Sequence, residues 1–378
     1  MATSIVDITA LREHRAAGRD LIGVVLVGLD LTSAEDDLLL RTRLDGALLL
    51  GCLLTPASRA RADAAGALLF PDIPNLPYRV YRSALYSPAE LFDSFDADRP
   101  ASYADTLDAR VYRYVRECGT HPQPLPALAQ RLHDHSITEA LDEVLAVSPH
   151  PVAVMGGHDL PRDSPGYAHA VALGQALGTS ATGFTVLTGG GPGAMEAVPL
   201  GVRLADADPA QALRVLSSAP RFDSGSSTVD HEAIGRWLAA GLRLNLPSFS
   251  IPRTIGIPTW FYGHEPPNIA CESHAKYFAN SVREDGLLNV ATGGVIYTPG
   301  SAGTVQEVFQ DYTKNHYGSL GPAAPMVFLG KDFWANEVPA APLVQQLARG
   351  RPNERWLLVT DDIGEAVALL DDYAAQSH

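Results

Sequence analysis

The chain has 378 residues, 46% hydrophobic and 19% charged, a composition that supports packed cores and excludes a disordered or low-complexity protein. A formal net charge of −15 excludes general affinity for nucleic-acid polymers or anionic membrane surfaces, but not for a small anion held by backbone amides. Cys52, Cys118 and Cys271 lie far apart without CxxC spacing, so no disulfide framework or cysteine-rich metal site is expected and a reducing cytoplasm is the expected location.

No basic-then-apolar signal opens the chain, and the best apolar run near its start, LIGVVLVGL (21–29), is strand-sized rather than membrane-spanning. LIGVVLVGLDL (21–31), GALLLGCLL (46–54) and GALLF (66–70) read as buried strands, and the GALL word recurring after twenty residues suggests two stacked strand–turn units. PDIPNLPYRVYRS (71–83) is proline-punctuated surface chain. THPQPLP (120–126) reads as a break, followed by a helix that Ser136 and Glu139 open as a capping box. The HDH at 133–135 lacks a third ligand in view and reads as helix-cap residues rather than a metal site.

From Pro151 strands and helices alternate. PVAVMGG (151–157) is a strand ending in glycines, and Ser164-Pro165 opens a helix. GFTVLTGGGPGAMEA (183–197) is strand, glycine turn and helix start. RFDSGSSTVDHEAIG (221–235) is an insertion, TIGIPTWF (254–261) a strand, and YGHEPPN (262–268) a polar loop. ACESHAKYFANSVREDGLL (270–288) reads as a helix, GGVIYTPG (293–300) and APMVFLG (324–330) as strands, and DDIGEAVALLDDY (361–373) as the closing helix. The alternation predicts α/β architecture: a Rossmann-like doubly wound parallel sheet over 119–378, with an additional N-terminal domain of mixed, strand-rich character over 1–118. All three glycine-rich turns then fall at strand C-termini, where such sheets bind ligands.

These turns nominate Gly156 and Gly157, then Gly189, Gly190, Gly191, Gly193 and Met195, then Gly300, Ser301, Gly303 and Thr304 for phosphate. The second is neither a GxGxxG fingerprint nor a P-loop. Thr304-x-x-Glu307 has capping-box spacing, which needs no ligand. Lys276, Asn280, and Arg283 or Glu284 share one face of the predicted 270–288 helix, and Glu196, His264 and Asn268 lie in or beside the loops. Arg162, Tyr167 and His158 stand near the first turn.

Together, TGGGPGAMEA and PGSAGTVQE resemble the paired motifs of the LOG family, once labelled lysine decarboxylases: GGGxxGxM followed by PGGxGTxxE. The resemblance extends loosely over 150–378. It implies hydrolysis of the N-glycosidic bond of nucleoside 5′-monophosphates, giving free base and ribose 5-phosphate, in a homodimer or larger homo-oligomer. It places the family glutamate on Glu307 and the catalytic arginine on Arg283, with Glu196, His264, Asn268, Lys276 and Asn280 as candidate base or ribose contacts. Ser301 stands where the family has a second glycine. No pyridoxal-phosphate lysine setting is recognisable, and neither cofactor nor metal is expected. A carboxylate near a helix start should stay ionised, which suits electrostatic stabilisation of a ribosyl cation. The competing reading is a carrier that holds a nucleotide or nucleotide-like cofactor without turnover.

Overall fold

The computed structural model describes residues 3–32, 39, 41–157, 159–223, 229–261, 265–318 and 321–376. The chain forms two compact units, Met1–Ala84 with Cys118–Ala140 and Leu85–Glu117 with Leu141–His378. It therefore passes between units more than once, where the sequence suggested one boundary at 118/119.

The first unit contains a parallel sheet of β1 (Ser4–Ile5), β2 (Val25–Val27), β4 (Leu48–Leu50) and β6 (Leu68–Phe70) in that order, beside a pair formed by β3 (Asp30–Leu31) and β5 (Leu53–Leu54). The two GALL copies pair in register, Leu48 with Leu68 and Leu49 with Leu69. Leu11, Leu21, Leu26, Leu31, Leu44 and Leu49 fill the core between them. Helix Pro124–Leu145 begins at the prolines expected to break the chain, since the first turn needs no intrahelical N–H. Ser136 is consequently inside this helix, donating to Leu132 O at 3.0 Å, and opens no capping box.

The second unit is built on seven parallel strands: β7 (Pro151–Met155), β8 (Thr185–Thr188), β9 (Thr254–Gly256), β10 (Ser273–His274), β11 (Gly294–Tyr297), β12 (Met326–Leu329) and β13 (Leu357–Thr360). Their order is β10-β9-β8-β7-β11-β12-β13. Strands 7 to 10 step outward one way and 11 to 13 the other, so the winding reverses between β7 and β11. This is a doubly wound, Rossmann-like sheet, and the strands' C-terminal ends at such a reversal are where sheets of this kind bind ligands. β8, β11 and β12 are buried along their whole length, as strands of a parallel sheet covered on both faces are. Ser164 caps helix Pro165–Thr179 as expected, accepting from Tyr167 N at 3.2 Å. Among the described residues no helix is long and apolar enough to cross a membrane.

One expected helix is replaced. Residues 270–279 form no helix: within them β10 pairs β9 at the sheet edge and Ala275 N donates to Gly256 O at 2.8 Å, and helix begins only at Asn280 (Asn280–Val290). His274 through Phe278 are all buried, so this stretch has no wet face for an amphipathic helix to present.

Candidate functional site at the sheet reversal

Three loops meet where β7, β8 and β11 end. Gly157 N donates to Pro299 O at 3.1 Å and Gly157 O accepts from Ala194 N at 3.2 Å, so the first glycine pair ties the other two loops together. A side chain at Gly156 would collide with Thr298 Oγ1.

The second loop turns at Gly190 (φ 73°), whose N donates to Thr188 Oγ1 at 3.1 Å, and Gly193 precedes helix Ala194–Arg203. Asn268 braces it: Nδ2 donates to Gly191 O (2.8 Å) and Met195 O (3.0 Å), while Oδ1 accepts from Cys271 N (2.9 Å). Asn268 is thus fully engaged by the protein and holds the loop rather than facing a base. Residues 189–193 are themselves buried. A Cβ at Gly189 would lie 2.5 Å from both Arg283 Nη2 and Met195 Sδ, and one at Gly191 3.2 Å from Glu265 Oε2. Guanidinium, thioether and a carboxylate roof this loop.

The third loop differs. Helix Ala302–Tyr317 starts with Ser301 as an N-cap that makes no side-chain cap bond. Ser301, Ala302 and Gly303 are exposed and Gly300 is half-buried, so free N–H groups of the first turn face solvent. Gly300 packs on Thr304, whose hydroxyl occupies the space a Cβ would need. Thr304 is the third helical residue rather than the cap, and the capping box with Glu307 does not form.

Glu307 instead lies in the second turn, with Oε1 3.8 Å from Arg283 Nη1. Arg283 is anchored by Nε donating to Ile257 O at 2.8 Å. Their side chains are 11% and 14% exposed, for Arg283 and Glu307 respectively. Burial pushes the Glu307 carboxyl up to about 7, Arg283 pulling it down and Glu284 pushing it further up. The expectation of a readily ionised carboxylate is overturned: the helix dipole acts on the first turn, and Glu307 lies beyond it.

The remaining candidates are engaged elsewhere. Lys276, off the helix, is 2% exposed and pairs with Asp108 Oδ1 at 2.5 Å. Asp108 also accepts from Trp260 Nε1 (2.9 Å) and Tyr103 OH (2.8 Å), and the Lys276 ammonium lies 5.0 Å from the Trp260 ring centroid. Burial lowers the Lys276 proton affinity against the opposing pull of Asp108. Glu196 is buried in a two-bond pair with Arg162 (2.8 and 2.5 Å) and accepts from Tyr167 OH at 2.9 Å. Asn280 does share a face with Arg283, bonding Glu284. His264, with Tyr262 and His158, lies outside the described residues.

Three parts of the site carried no separate sequence signal: the Ile257 carbonyl, the approach of Glu265 to Gly191, and the contacts of Glu284. A cavity of about 650 Å³ lined by His150, Thr292, Arg355 and Trp356 lies at the opposite, N-terminal end of β7 and β11 and takes no part in this site.

No family model matches the chain, and no curated protein matches it. Among solved structures, the protein TM1055, an X-ray structural-genomics target, is 19% identical over 59% of this chain and 99% of its own, with a TM-score of 0.36. A molybdenum cofactor binding protein from the phototrophic bacterium Rippkaea orientalis is 17% identical over 60% and 98%, with a TM-score of 0.37. The Rossmann-like assignment rests on the strand order itself.

Proposed function

We propose that this chain is a LOG-type nucleosidase that hydrolyses the N-glycosidic bond of nucleoside 5′-monophosphates to free base and ribose 5-phosphate. The observation that carries the reading is the Arg283–Glu307 pair, held at the sheet reversal beside an open helix start, with the Glu307 carboxyl shifted to about 7. A group poised near neutrality exchanges protons with water at little cost. The exposed turn at 301–303 offers amides for the phosphate. In its ionised form Glu307 takes a proton from water as the water oxygen bonds C1′, while the C1′–N electron pair leaves with the base, whose nitrogen then takes up a proton as Glu307 returns to its ionised form. The negative charge also favours the cationic ribose of the transition state. Arg283 steadies either the phosphate or the departing base. A homodimer in the cytoplasm and an accessory role for the N-terminal region belong to the same proposal.

Chromatographic product analysis with a panel of 5′-monophosphates and their nucleosides tests it. Base release from monophosphates alone, abolished in Glu307→Gln, supports the reading; no release from any monophosphate overturns it. Ser301, whose side chain stands at the exposed helix start, favours the second reading, a carrier. A carrier returns its nucleotide intact, which mass spectrometry of bound ligand detects.

A further inference from the structure

Helices Asn280–Val290 and Ala302–Tyr317 pack side by side, and the Arg283–Glu307 pair bridges them. A second bridge lies at the same level. Glu284 Oε1 accepts from Asn280 Nδ2 at 2.6 Å, and Oε2 accepts from Gln306 Nε2 at 3.1 Å across the helix boundary. Gln306 immediately precedes Glu307 and Glu284 immediately follows Arg283, so one carboxylate ties the chain neighbours of both members of the pair. Further along, Asp285 accepts from Gln310 Nε2. Asn280 spends its donor on Glu284 and leaves Oδ1 buried without a hydrogen-bond partner.

We propose that Glu284 is the positioning residue of this site: it clamps the two helices around Arg283 and Glu307 and holds a second carboxylate against Glu307. The groups facing Glu307 account for its effect. From the 280–290 helix come Arg283 and Glu284, and from β11 Tyr297, which also bonds Asp311 of the Glu307 helix. Asp311 accepts from Tyr297 OH at 2.9 Å and forms an ion pair with Lys314 at 3.0 Å. Arg283 favours the ionised Glu307, and Glu284 opposes it. Only the kinetic consequence of the clamp rests on the nucleosidase reading; the clamp and the charge do not.

Two substitutions separate charge from geometry. A glutamine at 284 keeps one acceptor oxygen and gains an NH₂, so an amide flip at Asn280 or Gln306 restores the second bond. Glu284→Gln thus removes the charge and keeps the clamp, whereas Glu284→Ala removes both. The test uses the full chain labelled with ¹³C-glutamate, the Glu307 carboxyl resonance being assigned by its loss in Glu307→Gln. Its titration midpoint moves to lower pH in Glu284→Gln. Amide hydrogen exchange in both helices accelerates in Glu284→Ala and stays near wild type in Glu284→Gln. An unmoved midpoint in Glu284→Gln, or wild-type exchange in Glu284→Ala, overturns the proposal. If the wild type releases base, kcat in Glu284→Ala falls roughly tenfold to a hundredfold, since a 1 Å misplacement costs about 10²-fold. A wild type that releases none overturns the nucleosidase reading and leaves this inference to the titration and exchange.

Discussion

Replacing Glu307 with glutamine should stabilise the protein above neutrality while removing its proposed chemistry. The folded carboxyl titrates at about 7 against an ordinary value of 4.5. Below pH 4.5 it is protonated in both folded and unfolded chains and contributes no pH dependence. Between 4.5 and 7 the folded state holds a proton that the unfolded state has released, so stability falls as pH rises, and the loss is complete above 7. A shift of about 2.5 pH units corresponds to about 3 kcal/mol, an upper bound because the side chain keeps 14% of its exposure. Glutamine has similar shape and no charge to desolvate. Thermal unfolding of wild type and Glu307→Gln at pH 5, 6, 7 and 8 measures the gap. At roughly 2–4 °C per kcal/mol for a domain of this size, the variant melts several degrees higher at pH 8 and the gap closes toward pH 5. A variant no more stable than wild type at pH 8, or a gap independent of pH, refutes the reasoning.

Arg283 pulls the Glu307 midpoint down, so Arg283→Gln should raise it above about 7, read by the same ¹³C titration, and should abolish base release. Deleting residues 1–118 removes Asp108 and strands the Lys276 ammonium in a buried site. Breaking a buried pair in this way costs about 3–5 kcal/mol, so both the truncated chain and Asp108→Ala should show sharply lowered unfolding midpoints, with Asp108→Asn less affected.

β7, β8, β9, β11 and β12 were readable because parallel strands buried on both faces are written as short, largely apolar runs that end near glycine or proline, whereas β13, followed by Asp361 and Asp362, was not read. The helix at 165–179 was readable from Ser164-Pro165. Segment 270–279 was not, because an edge strand covered on both sides has neither the period of a helix nor the alternation of a half-exposed strand. The partners of Lys276 and Glu196 were also hidden, lying 168 and 34 residues away in the chain. Thr304 and Glu307 carried the spacing of a capping box, but spacing does not say where the helix begins. Starting at Ala302 instead of after Thr304 moves Glu307 from the first turn into the buried second, and that displacement accounts for the change from a readily ionised carboxylate to one that titrates near neutrality.

The two glycine-rich loops are not equivalent seats for an anion. Loop 189–193 is buried and approached by the Glu265 carboxylate, whereas the 302–317 helix opens onto solvent with amides free. Under the nucleosidase proposal a nucleotide phosphate is placed at the start of the 302–317 helix, where it would bring negative charge toward Glu307 and compete for Arg283. Both effects favour the protonated Glu307, and its midpoint already stands at about 7. Binding of a 5′-monophosphate should then take up a proton, and by linkage its affinity should fall as pH rises through neutrality. Calorimetry at pH 7.5 in two buffers of different ionisation enthalpy measures the uptake directly. The phosphate itself titrates near pH 6 and contributes a share, so Glu307→Gln provides the subtraction. If the variant shows the same buffer dependence as wild type, the phosphate does not lie within reach of Glu307, and the assignment of the two loops must be exchanged.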